Sequence, residues 1–127
     1  MIHLDTHVAV WLYAGERDRF PPGLTARLET ERLAVSPMVR LELSYLYEIN
    51  RITHHPARII DELRRALDLA IDDTPFEEVI AEAESEGMRF TRDPFDRIIG
   101  GQARAAGAEL ATKDEQLRAR LDVAVWD

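Results

Sequence analysis

The chain has 127 residues, of which 46% are apolar, a net charge of −8 and no cysteine. That length fits one domain with a true hydrophobic core. The missing cysteines exclude a disulfide framework, a thiolate zinc site and a cysteine nucleophile. No apolar run approaches the roughly 20 residues of a membrane span, and Met1-Ile2-His3-Leu4-Asp5 lacks the basic and long apolar regions of a signal peptide. The expectation is a cytoplasmic protein that does not engage a membrane.

Ile2 to Leu4 reads as a buried strand, and Asp5 and Thr6 cap a helix from about Val8 to Tyr13. Phe20-Pro21-Pro22-Gly23 breaks the chain before a helix from about Leu24 to Thr30, and Leu33 to Val35 is a second strand. Ser36-Pro37 is a cap with proline at the first helical position. The helix that it opens carries Val39, Leu43, Leu46 and Ile49 at helical spacing. After His54-His55-Pro56 a helix spans Arg58 to Leu67, Leu69 to Ile71 is a third strand, and Asp72-Asp73-Thr74-Pro75 opens a helix ending at Gly87. Asp93-Pro94 repeats the cap-and-proline signature for a helix to about Ala106. Glu109 to Thr112 is a fourth strand, a short helix follows Asp114, and Val123 to Trp126 is a last edge strand. Strands alternating with helices imply an α/β fold with a parallel sheet covered on both faces.

In open parallel sheets, sites form beyond the carboxyl ends of the strands. Asp5 follows the first strand and Asp114 the fourth. Each also suits a helix cap. Glu42 is flanked at helical spacing by Met38, Val39, Tyr45 and Leu46, which puts a carboxylate in an apolar stripe. Asp96, on the first turn of the Pro94 helix, leans toward Ile99, Gly100 and Ala103. Asp93 is explained by capping. Gly100-Gly101 within a helix predicts a close backbone approach, of helix on sheet. Carboxylates gathered in one pocket must take up protons or bind cations. Oxygen ligands without His or Cys select Mg²⁺ or Mn²⁺, and such ions suit phosphodiester hydrolysis.

The stretches Leu4-Asp5-Thr6-His7 with Trp11-Leu12, Arg40-Leu41-Glu42-Leu43, Arg92-Asp93-Pro94-Phe95-Asp96-Arg97-Ile98-Ile99 with Gln102-Ala103, and Leu110-Ala111-Thr112-Lys113-Asp114 resemble, in the same order, the motifs of PIN-domain nucleases. Within that family they are most similar to the VapC-type toxins of toxin–antitoxin pairs. The resemblance implies a single PIN-like three-layer domain over 1–127, with a central parallel sheet flanked by helices. It implies an endoribonuclease using Mg²⁺ or Mn²⁺, with Asp5, Glu42, Asp96 and Asp114 as its catalytic and metal-binding acids. Thr112 supports the site through its hydroxyl, and Asp93 occupies a frequent family position. An antitoxin partner and a homodimer within a larger complex are further implications. Ala111 stands where many members carry a bulkier residue, a matter of packing.

A net charge of −8 opposes binding of nucleic acid. Arg40, Arg92, Arg97 and Lys113, close in sequence to the acids, are expected to form a local basic rim. The helix from Pro37 to Ile49, apolar on more than one side, is the expected docking surface for the antitoxin. The four histidines lack a metal-ligand spacing. Trp11 and Trp126 read as core residues, and the glutamates from Glu77 to Glu86 as a solvated face. An aspartyl phosphatase would want an acid where His7 stands. A non-toxin PIN nuclease and an inactive PIN binding module remain as alternatives.

Overall fold

A computed structural model describes residues 1–127. Five strands, β1 (Ile2–Leu4), β2 (Leu33–Val35), β3 (Ala70–Ile71), β4 (Glu109–Ala111) and β5 (Ala124–Val125), form one sheet in the order β3-β2-β1-β4-β5. Every pairing is parallel. Seven helices accompany it: α1 (Thr6–Ala14), α2 (Pro22–Thr30), α3 (Pro37–Glu48), α4 (Pro56–Leu67), α5 (Phe76–Glu84), α6 (Pro94–Ala105) and α7 (Glu115–Arg120). All residues of β1 and β2 are buried, as befits central parallel strands with helices on both faces. The result is the expected three-layer α/β arrangement. No helix is long and apolar enough to cross a membrane.

Local chemistry sets the helix starts. Ser36 Oγ accepts from Met38 N at 3.0 Å and Asp93 Oδ1 from Phe95 N at 2.8 Å, each ahead of a proline at the first helical position. His55 does the same for α4 through Nδ1, 3.2 Å from Ala57 N, so that helix begins at Pro56 rather than Arg58. The helix expected to run on to Gly87 stops at Glu84, and a 3₁₀ turn follows over Glu86–Met88.

Connections leave β1 toward β2 on one side, whereas β4 leads to β5 on the other. The strand order therefore reverses between β1 and β4, and a crevice opens beyond their carboxyl ends. The Gly100-Gly101 expectation needs correction. The close approach is helix on helix: a Cβ on Gly101 would stand 2.9 Å from Ala83 N and 3.2 Å from Val79 O of α5. α5 and α6 can thus lie backbone to backbone, fixing where the start of α6 sits.

Candidate active site

The crevice holds a cavity of about 420 Å³ lined by Asp5, Glu42, Asp93, Asp96 and Asp114, with Lys113 at its side. Asp5, the N-cap of α1, follows β1 directly, and Asp114, the N-cap of α7, follows β4 after Thr112 and Lys113. Register brings them together, because Leu4 pairs with Ala111 and Asp5 N donates to Ala111 O at 3.0 Å. Glu42 enters from α3 and Asp96 from the first turn of α6. The geometry thus gathers all four expected acids, and Asp93, on one sheet edge.

Two hydroxyls hold the inner acids. Thr112 Oγ1 donates to Asp5 Oδ2 at 2.6 Å and accepts from Asp114 N at 3.1 Å, linking the two strand-end acids. Thr6 Oγ1 donates to Glu42, while Thr6 N donates to Asp5 Oδ1 at 2.8 Å. Both threonines are fully buried.

None of the five acids is in an ion pair. Burial raises the pKa of Asp5 against the pull of its Thr112 and Thr6 hydrogen bonds. It raises Glu42 likewise, against Thr6. Asp96 is pushed up to about 7, first by burial and then by repulsion from Asp93, Asp5, Asp114 and Glu42. A cluster of uncompensated oxygen ligands suits a hard divalent cation. No three of the groups are arranged to ligate one ion. Asp5 and Glu42 instead turn to their threonines, so ligation requires rotation of side chains.

The expected basic rim is only partly assembled. Lys113 lines the cavity. Arg92 is exposed beside Asp93 and makes no ion pair. Arg97 turns away, its Nε donating to Ala83 O on α5 at 2.9 Å, because the close α5–α6 crossing exposes that carbonyl to it. Arg40 lines a separate hollow between α3 and α4 with Leu41 and Pro56. His7 and Trp11, which sequence reasoning set aside, both line the acid cavity. Their i, i+4 spacing behind Asp5 was the available signal.

A second polar cluster was missed altogether. His3 on β1 is buried, with Nε2 3.3 Å from Asp72 Oδ2 and no hydrogen-bond partner at either ring nitrogen. Gln102 of α6 donates through Nε2 to Asp72 Oδ1 at 2.8 Å, and its Oε1 accepts from Ser36 Oγ. Burial would raise Asp72, but hydrogen bonds from Thr74 and Gln102 outweigh it and lower its pKa. Burial lowers the pKa of His3, partly offset by Asp72.

Residues 2–121 match the model of the PIN domain family. The chain belongs to the PIN-domain family. Within that family it is of the VapC type: it is 32% identical to Ribonuclease VapC22 of Mycobacterium tuberculosis over 97% of this chain and 96% of that protein. Its fold is similar to that in the crystal structure of VapBC2 from Rickettsia felis bound to a DNA fragment from their promoter. The TM-score there is 0.70 and the identity 19%, over 100% of both chains. A DNA-bound VapBC from Salmonella typhimurium is similar with a TM-score of 0.58 and 20% identity, covering 97% of this chain and 93% of that one.

Proposed function

We propose that this chain is a divalent-metal-dependent endoribonuclease, the toxin of a toxin–antitoxin pair. The observation that carries this reading is the convergence of four acids, none of them in an ion pair, at the switch point of the sheet. The likeness to Ribonuclease VapC22 supports RNA as the substrate. Asp5, Glu42, Asp96 and Asp114 would hold Mg²⁺ or Mn²⁺. When bound, the ion supplies positive charge beside a phosphodiester and Lewis acidity toward water.

The chain's own residues do the rest. Thr112 and Thr6 orient Asp5 and Glu42, the supporting role that such partners play around a metal site. Without the ion, Asp96 is pushed up to about 7 by burial and by its acidic neighbours, a repulsion that a bound cation would relieve. Lys113 offers an ammonium to the phosphate backbone despite the net charge of −8. The likeness in fold to VapBC complexes supports an antitoxin partner. Leu41, Tyr45, Tyr47 and Ile49 leave one side of α3 and its end exposed. An antitoxin helix, or a second copy of the chain, would cover that surface.

The experiment is to incubate purified protein with tRNA, rRNA and mRNA fragments in Mg²⁺ and map the cuts, alongside Asp5→Asn. Discrete cuts by the wild type, absent in a folded variant, are expected. Equal cleavage by both proteins would overturn the assignment. For the partner, the product of the adjacent reading frame is co-expressed. Co-purification with loss of cleavage is expected, and failure of both would overturn the antitoxin reading.

A further inference from the structure

We infer that Trp11 is the seat of a nucleobase flanking the phosphate held at the carboxylate cavity. The inference rests on the nuclease reading above and adds to it a base-binding subsite.

Trp11 forms a wall shared by two cavities. One is the carboxylate cavity. The other, of about 610 Å³, opens between α1, α2 and α4, within the about 300–1,000 Å³ of small-molecule sites. The indole is half-buried and braced from behind, with Trp126 and Phe20 at centroid distances of 6.2 and 6.4 Å. A braced ring loses little freedom when a ligand stacks on it.

Two cations lie over that ring. Lys113 Nζ is 5.9 Å from the centroid and Arg19 Cζ 4.8 Å. Lys113 is the chain's single lysine and neighbours Asp114, so one ammonium lies between the acids and the indole. His7, one turn earlier on α1, is exposed, lines the acid cavity and has its ring 6.1 Å from that of Trp11. Because α1 starts directly after Asp5, these rings are set at a fixed offset from the acids.

A strand whose phosphate is drawn to the acids and Lys113 can therefore place its next base on the indole. Arg19, 4.8 Å from the indole centroid and paired with Glu16, would swing aside to admit that base and could then cover its outer face. Aromatic stacking of this kind tolerates any base and strengthens binding by about ten- to hundredfold. In an acidic chain it replaces part of the missing phosphate contacts.

The test is a double-mutant cycle. Binding of a fluorescein-labelled single-stranded RNA of about eight nucleotides is followed by anisotropy, with Ca²⁺ in place of Mg²⁺. One abasic ribose is placed at each position in turn. We expect one abasic position to weaken wild-type binding about tenfold, Trp11→Leu to abolish that difference, and Trp11→Phe to keep most of it. In a Trp126→Phe background Trp11 is the sole tryptophan, and the intact RNA should quench it more than the abasic RNA does. This second readout decides the matter if Trp11→Leu does not fold. Equal weakening of intact and abasic RNA by Trp11→Leu, with no differential quenching, overturns the seat and leaves Trp11 as core or as a protein-facing surface. If RNA is bound and cut but no abasic position matters, the seat falls alone. If the wild type neither binds nor cuts any RNA, the nuclease reading falls and the seat with it.

Discussion

The carboxyl edge of the sheet carries two polar clusters that treat charge in opposite ways. Beyond β1 and β4, Asp5, Glu42 and Asp96 share one cavity without an ion pair and their pKa values are raised. Beyond β2 and β3, Asp72 is closed in by Thr74, Gln102 and His3 and its pKa is lowered. Burial alone would raise the carboxylates of both clusters; it prevails for the more deeply buried Asp5, Glu42 and Asp96, and the hydrogen bonds of Thr74 and Gln102 prevail at Asp72. The Asp72 cluster ties α6 to the start of α3 and to the middle of β1, with the His3 ring left without a hydrogen bond. The acids beyond β1 and β4 have hydrogen bonds but no ion pair, and on the proposed reading a divalent ion completes them. A carboxylate group that strains against its neighbours reads as a site, and one that is fully bonded reads as scaffold.

Breaking each cluster should give contrasting losses. Asp114→Asn should leave the fold intact and reduce RNA cleavage by more than the about 10–100-fold that loss of a supporting residue costs. Initial rates at saturating Mg²⁺ check this. Thr112→Val removes only the support of Asp5 and should fall within that 10–100-fold range, in the same assay.

Gln102→Leu should do the reverse, lowering stability by about 1–3 kcal/mol for each stranded partner, Ser36 and Asp72. Urea denaturation measures it. Any activity that survives should keep its metal requirement.

The smallest effect concerns charge. In metal-free buffer Asp96→Asn should stabilise the fold by about 1–2 kcal/mol at pH 8, allowing for solvent screening. The sign follows from the raised pKa of about 7. The folded state holds the proton more tightly than the unfolded chain does. The wild-type penalty is therefore full above pH 7 and fades as pH falls toward the unfolded value of about 3.8. His3 contributes the opposite slope, since its lowered pKa favours the neutral fold and removes stability as pH falls through 6.5. Comparing wild type and variant melts at pH 8 and pH 5 cancels the His3 contribution. A gain that does not shrink at pH 5 would contradict the assignment.

Much of the site was legible because its signals are local. Ser36-Pro37 and Asp93-Pro94 announce two helix starts, Asp5 and Asp114 end strands, and Glu42 stands out in an apolar stripe. What was not legible depends on sheet order and helix crossing. Gln102 lies 66 residues from Ser36 and 30 from Asp72, and no periodicity links them. Arg97 sits beside Asp96 in sequence, yet the α5–α6 crossing claims its guanidinium. Gly101 signalled a close approach, but which element approached was a property of the tertiary fold.

On the proposed reading a divalent ion completes the acid cluster. The most direct measurement is RNA cleavage by wild-type protein stripped with EDTA and then titrated with Mg²⁺ or Mn²⁺. The account predicts no cleavage in chelator and full recovery on adding the ion, with no recovery for Asp114→Asn at the same concentrations. Undiminished cleavage in excess chelator would contradict it.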